Sequence, residues 1–364
     1  MPSQFDVQRA IDYDQKQGYT PDQIKTIQRV TGSTPDAVWG AKTVQAVADW
    51  QARVGLEPDG KVGTGTWRAV QRVAAVDAAH GRGERKPKLG VWVDDQPSFV
   101  LADGWLANLA KLGFSTIAIM VQRSTSASSV EPWAARWTSQ QLGKLHAIAK
   151  PLGLDVALTT WPLPDAKQLE QMAEALPALL EAAGASALEV DTEGNWTEAR
   201  LSGFASMADA AKALISTMHA ATRASKAKLE LTTYPYHPEN DAKAQVAPAM
   251  GRLFPQAYSV AEREGKPVAW DDPRMGPGGI QALSVHRAEA VAGVAEGKVE
   301  LGLGLAAYEQ AFAGHTIAEA MAAALDAAIL QRVPEVRYWS SRWIVGSNGN
   351  REVADFFAAR ATPR

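Results

Sequence analysis

The chain of 364 residues contains no cysteine. Disulfide staples, thiolate nucleophiles and cysteine-held zinc are therefore excluded. No large excess of one charge is present either. The formal net charge of -3 leaves no globally basic footprint, and no nucleic-acid partner is expected. No apolar run is long enough to span a bilayer, so membrane insertion is not expected. The Ala-rich stretch from Met321 to Leu330 is broken by Asp326 and reads as a buried amphipathic helix. The opening Met-Pro-Ser-Gln-Phe-Asp lacks the basic and apolar regions of a secretory signal, so synthesis in the cytoplasm without a signal peptide is expected. The histidines His80, His146, His219, His237, His286 and His315 form no His-x-x-x-His or His-Glu-x-x-His pair. Neither a metal nor a cofactor is expected, and a zinc peptidase loses support. No Gly-x-Ser-x-Gly elbow announces a serine hydrolase. A monomer is the expectation for oligomeric state.

What is present begins with a repeat. Gln28, Gly32, Asp36, Gly40, Thr43, Ala46 and Val47 recur as Gln51, Gly55, Asp59, Gly63, Thr66, Ala69 and Val70, a constant offset of 23 residues. Each unit reads as a helix ending at a glycine, a turn carrying Asp, and a helix opening near Gly-x-x-Thr. Ile24, Ile27 and Val30, then Val44 and Val47, keep helical spacing. Periodicity alone is satisfied by helical hairpins that only pack. The phrases Ile-Gln-x-x-x-Gly, Val-Trp-Gly-x-x-Thr-x-x-Ala-Val and Trp-Gln-x-x-x-Gly-Leu-x-x-Asp-Gly-x-Val-Gly-x-x-Thr-Trp carry more. Over about residues 20 to 73 they resemble the three-helix peptidoglycan-binding domain. The first unit departs by having Ala37 where the second has Gly60. The resemblance implies a groove for a muropeptide near the turns, with Trp39, Asp59 and Trp67 as candidate contacts, and bacterial peptidoglycan as the partner.

Domain organisation follows. Residues 1–75 form the small helical domain, 76–88 a charged Gly/Pro-bearing linker, and 89–364 a larger domain. In the last, short β-like runs alternate with amphipathic stretches. The strand candidates are Leu89–Asp94, Ser115–Val121, Asp155–Thr160, Ala187–Thr192, Lys228–Tyr234, Phe254–Tyr258, Val299–Leu305 and Val336–Ser340. Helices are expected at Ser139–Leu152, Asp165–Ala183, Ser206–Thr222 and Thr316–Leu330. This is the arithmetic of an α/β (β/α)8 TIM barrel. A doubly wound open sheet is the alternative, but no Gly-rich phosphate loop follows an early strand.

Barrel active sites lie at the C-terminal strand ends. There the fourth strand reads Ala187-Leu188-Glu189-Val190-Asp191-Thr192-Glu193. Alternation places Glu189, Asp191 and Glu193 on one face. Clustered carboxylates are costly unless they share protons or have partners, which favours a catalytic role: Glu193 as general acid and Asp191 tuning it. Asp94 and Asp95, ending the first strand, are candidate second carboxylates; being adjacent, only one of them faces the site. Glu189, Tyr234, Gln256, Tyr258, Trp161, Trp196 and Trp339 are candidate substrate contacts, the aromatics as platforms for pyranose rings. Gly302 and Gly304, alternating on the seventh strand, are expected to open room inside the barrel.

The acid-x-Asp-x-Glu ending resembles the Asp-x-Asp-x-Glu of the family 18 chitinase-type glycosidases, with Glu189 in place of the first Asp. It also resembles the Asp-x-Glu of the family 25 lysozymes, whose early catalytic Asp is matched only loosely by Val93-Asp94-Asp95. Both families cut β-1,4 links beside 2-acetamido sugars. With the wall-binding module in front, the arrangement resembles modular phage endolysins. These resemblances imply a muramidase-type enzyme that needs a separate route to the wall. A non-catalytic wall-binding protein with an inactive barrel, and a glucosaminidase or chitinase-like remodelling enzyme, remain open.

Overall fold

The computed structural model describes residues 6–81, 86–122, 133–192, 196–233, 246–307, 312–346 and 349–361. The N-terminal part holds four helices among the described residues: α1 (Val7–Lys16), α2 (Pro21–Thr31), α3 (Ala41–Arg53) and α4 (Thr64–His80). The expected three are preceded by α1. A reciprocal cap between Thr20 and Gln23, with Pro21 at the first position, starts α2, and Gly32 in the left-handed region ends it. The sequence repeat is a repeat of hydrogen bonds. Gln28 Nε2 donates to Asp36 Oδ1 at 2.7 Å and to Thr43 Oγ1 at 3.3 Å. Gln51 Nε2 donates to Asp59 Oδ1 at 3.2 Å and to Thr66 Oγ1 at 3.1 Å. Each glutamine carbonyl accepts a turn N–H, from Ala37 at 2.9 Å and from Gly60 at 2.8 Å. Ala37 (φ 66) and Gly60 (φ 69) adopt the same left-handed conformation. The first turn thus keeps its shape at a cost of roughly 1–2 kcal/mol for a residue with a Cβ. Ile27, Val44, Val47 and Val70 fill the small core.

The second part is a closed parallel α/β barrel. Its strands are β1 (Lys88–Val93), β2 (Phe114–Met120), β3 (Asp155–Thr160), β4 (Ala187–Asp191), β5 (Lys228–Thr233), β6 (Arg252–Pro255), β7 in two pieces (Glu300–Leu301 and Leu303–Ala306) and β8 (Glu335–Trp339). Consecutive strands pair in parallel from β1 to β6, and β8 pairs with β1. The first piece of β7 pairs with β6 and the second with β8, so β7 brings the sheet back on itself. Helices Trp105–Lys111 (α5), Ser139–Ala149 (α6), Ala166–Ala183 (α7), Met207–Thr222 (α8), Gly279–Ala288 (α9), Ile317–Leu330 (α10) and Arg351–Ala358 (α11) surround it. Thr138, Asp165, Ser206 and Thr316 cap four of them by accepting a backbone N–H. Outward residues such as Ile117, Leu158, Leu188 and Leu231 meet the helices in one large apolar core.

The room expected at the β7 glycines is occupied. A Cβ on Gly302 would lie 2.1 Å from the Phe254 ring, and one on Gly304 3.0 Å from the Trp92 ring. The missing side chains admit these aromatics rather than a ligand. Gly90 likewise makes way for Arg337, whose Cγ would be 2.8 Å from a Cβ there.

The two parts are packed together. The expected linker from Val76 begins inside α4, which runs on to His80. Arg72 of α4 is buried and pairs with buried Glu289 at 2.8 Å, while its Nη1 donates to Gln331 O at 2.7 Å. The Val54 carbonyl, just past α3, meets His286 Nε2 at 2.9 Å and Gln331 Nε2 at 2.5 Å. Asp77 pairs with Arg332. Gly55 and Gly297 allow close approach, since Cβ atoms there would stand 2.9 Å from Ala282 and 2.6 Å from Ala75.

Candidate active site

Strand alternation sends Trp92, Glu189, Glu230, Arg252, Phe254, Glu335 and Arg337 into the barrel. Glu189 is fully buried. Its carboxylate accepts from Trp92 Nε1 at 2.6 Å and Thr159 Oγ1 at 2.9 Å, and pairs with Arg337 Nη1 at 2.6 Å. Arg337 also contacts Glu230 at 2.7 Å and Glu335 at 2.9 Å, and lies 4.0 Å from the centroid of Phe254. Arg252 joins Glu230, Glu300 and Glu335 at 2.9, 3.2 and 2.6 Å. Complete burial pushes the Glu189 pKa up, against the pull of Arg337 and with a further push from Glu230. Burial acts the same way on Glu335, but Arg337 and Arg252 outweigh it and hold that carboxyl below its ordinary value. The substrate contact expected of Glu189 is thus corrected: its oxygens face inward onto fixed partners.

Above this layer Trp92 meets Phe254 edge-on, with centroids 6.5 Å apart, and Trp339 lies 6.3 Å from Trp92. The aromatic layer separates the ion-pair network from the C-terminal mouth. Asp191 ends β4 at that mouth and is half-buried. Glu193 and Tyr234 lie outside the described residues.

The two first-strand aspartates part company, as adjacency requires. Asp94 pairs with Arg342 Nη2 at 2.7 Å. Asp95 is buried and accepts from Ser341 Oγ at 2.8 Å. Burial pushes the Asp95 pKa up, partly opposed by the Ser341 hydrogen bond. Arg136, which follows β2, belongs to the same cluster: burial lowers its pKa, Asp94 opposes that, and Arg342 adds to it.

The aromatic candidates separate by burial. Trp161 is half-buried just past β3, its backbone N–H donating to Gln122 Oε1 at 2.8 Å. Trp339 is half-buried at the end of β8. Trp196 is buried, and its indole N–H donates to Pro162 O at 2.9 Å, so its expected role as an open platform is corrected to a packing one. Gln256 and Tyr258 do not share a strand face: β6 ends at Pro255, three residues short of the expected end at Tyr258. Gln256 makes a single bridge to Gly304, and the Tyr258 N–H turns back onto Gln256 O at 2.9 Å. In the N-terminal module Trp39 is buried and Trp67 half-buried, and both pack on Tyr19 at 6.2 and 5.2 Å between centroids. Asp59 Oδ1 also receives the Lys61 N–H at 2.9 Å, so this carboxylate is part of its turn.

A cavity of about 390 Å³ opens at the opposite, N-terminal end of the barrel, between Lys88, Lys228, Glu230, Arg252 and Glu335 and the end of α4. Its lining is the ion-pair network, whereas barrel chemistry sits at the other end. Among the described residues, no group of His, Asp and Glu is arranged to hold a metal.

Residues 15–70 match a family model. Its description is "Putative peptidoglycan binding domain". Among curated proteins, none matches the chain. The barrel is similar to the catalytic domain of a hyperthermophilic chitinase from Pyrococcus furiosus, at TM-score 0.50 and 13% identity, covering 76% of this chain and 95% of that one. It is also similar to a GH18 chitinase from Cycas revoluta solved with (GlcNAc)3, at TM-score 0.50 and 11% identity, covering 75% and 99%. At such identities the likeness shows the fold. The residues missed by sequence reading are the partners of Glu189: Arg337, Glu335, Glu230 and Arg252. Their signal was present, since Glu335-x-Arg337 and Lys228-x-Glu230 carry charge at alternate positions of strands, the rule that singled out Glu189.

Proposed function

We propose that the protein is a peptidoglycan hydrolase that cuts the β-1,4 bonds of the cell-wall glycan, most simply as a muramidase. The observation that carries this reading is the combination in one chain of a peptidoglycan-binding module with a chitinase-like barrel whose β4 leads through Asp191 into Glu193. Glu193 protonates the leaving oxygen; Asp191 tunes Glu193 and orients the 2-acetamido group. Asp94 is paired with Arg342 and Asp95 with Ser341. Their engagement favours attack by the substrate's own acetamido oxygen over attack by a first-strand carboxylate, a departure from the two-carboxylate scheme. Release to the wall in the manner of an endolysin belongs to the same proposal.

Glu193→Gln keeps the shape of the side chain and removes the acid. Turnover on purified walls should fall by about 10²–10⁴-fold, the usual contribution of a positioned acid, while wall pull-down through the module persists. Undiminished lysis by this variant would remove Glu193 from the mechanism.

A further inference from the structure

A cavity of about 510 Å³ lies in the seam between the N-terminal module and the barrel, and the site described above does not use it. All of its lining residues are among those described. The module supplies Arg53 and Gly55, at the end of α3 and the start of the second turn of the repeat. The barrel supplies Leu283 from α9 and Ala323, Ala327 and Leu330 from α10. Val54 closes the inner end, where its carbonyl is held by His286 and Gln331. Pro273 and Gly278 line the other end. They lie on the segment that leaves β6 and enters α9, so that end is toward the side of the barrel on which the strands finish.

The two walls meet where Gly55 faces Ala282, with no room for a side chain between them. Beyond that contact the floor is made of methyl and methylene groups, and Leu330 remains 41% exposed. No Phe, Trp or Tyr ring is among the lining residues, so the groove offers no aromatic platform for a pyranose. Its rim carries both signs of charge, Arg53 on the module and Asp326 on α10, and both side chains are exposed. An apolar floor with a few polar groups, at a seam between domains and within about 300–1,000 Å³, is the usual form of a small-ligand site. A short peptide with small apolar side chains and ionised groups of both signs matches this lining.

We propose that this groove holds the stem peptide of peptidoglycan, so that module and barrel together form one composite binding site. The inference rests on the wall-binding part of the proposed function and not on Glu193. The occupant follows from the partner of the module, whose second turn supplies one wall of the groove. The stem brings alanine methyls for the floor and carboxylate and amine groups for the rim. Its glycan then emerges at the Pro273 end, on the side of the barrel mouth.

The test measures equilibrium binding of two probes to the full chain by calorimetry: the free stem tetrapeptide and the peptide-free disaccharide, both prepared from the same purified walls. Ala323→Trp fills the groove from the barrel side. It should weaken binding of the stem at least about tenfold and leave affinity for the disaccharide as it is in the native protein. No binding of the stem by the native protein, equal binding by native and Ala323→Trp, or an equal loss for both probes overturns the groove. Solution scattering checks that the module stays docked in the variant. Should Ala323→Trp unfold the chain or enlarge its radius of gyration, Leu330→Asn decides: it makes the floor polar at a position already exposed, and stem affinity should fall several-fold. Stem affinity unchanged by Leu330→Asn overturns the groove. Co-sedimentation with purified walls separates this inference from the reading beneath it. A native protein that does not sediment with walls loses the wall-binding reading, and the groove falls with it. One that sediments with walls but shows no stem binding, or stem binding that the variants leave unmoved, loses the groove alone.

Discussion

Arg337 is the residue on which the barrel interior turns. Its guanidinium contacts Glu189, Glu230 and Glu335 and lies over Phe254, with no exposure to solvent. Such a network is weak evidence of net stability, since desolvation offsets much of the attraction. Removing one member is another matter, because its partners remain buried and charged. Arg337→Met should therefore cost about 3–5 kcal/mol in denaturant unfolding. A loss within about 0.5 kcal/mol, typical of an ordinary surface site, would show that the carboxylates find other partners or protons. Glu189 illustrates what sequence could and could not give. Its inward direction followed from alternation; its partners did not, because Arg337 and Glu335 lie more than a hundred residues away in the chain, and only the register of β8 against β1 brings them in. The same holds for Trp196, which looks like a platform at a strand end until its N–H is seen to reach Pro162 O.

At the scale of elements, helix ends and strand order were legible. The expected helix starts at Ser139, Asp165, Ser206 and Thr316 fall within one residue of the observed ones, and the strand candidates fall within two residues of the observed β1 to β8. The exception is β6, where the strand ends at Pro255, Gln256 adds one bridge to Gly304, and the Tyr258 N–H turns back onto Gln256 O. The glycines of β7 misled for a related reason: a missing side chain leaves either space or room for a neighbour, and only coordinates distinguish the two. Another element-scale contact was invisible in the repeat. Asp14 of α1 is buried and accepts the Val62 N–H at 2.7 Å, tying α1 to the second turn. Burial pushes its pKa up to about 7, against about 3.9 for an unfolded chain. The folded state therefore holds this proton longer. Its contribution is fully present below about pH 4 and is lost as pH rises to about 7. The difference in melting temperature between native protein and Asp14→Asn should change over that interval and level off above it; a flat difference would contradict the assignment.

At the scale of the whole molecule, the two parts share contacts that the sequence did not announce. A charged segment with Gly and Pro reads as a tether, which would only raise local concentration of the wall. Instead α4 continues across the expected boundary and buries Arg72 against Glu289. The Glu289 carboxyl is held below its ordinary pKa: burial pushes up, and His286 and Arg72 outweigh it. Docking strength from this group is present above the unfolded value, about 4.3, and declines as pH falls through the lower folded value. Arg72→Met leaves Glu289 buried without its cation and should release the module, seen as a larger radius of gyration in solution scattering. Arg72→Met combined with Glu289→Leu should restore much of the compact profile, since an apolar pair of similar size replaces a buried ion pair at little cost. An unchanged radius for the single variant would show that the remaining contacts suffice.

The central claim is that a wall-binding module delivers a glycosidase whose acid is Glu193. Digestion of purified peptidoglycan, followed by reduction and mass spectrometry of the soluble fragments, tests it most directly. The account predicts fragments with a newly formed reducing end on the glycan, N-acetylmuramic acid for a muramidase, absent from the Glu193→Gln digest. Release of free peptide with intact glycan strands, or no soluble fragment at all, would contradict it.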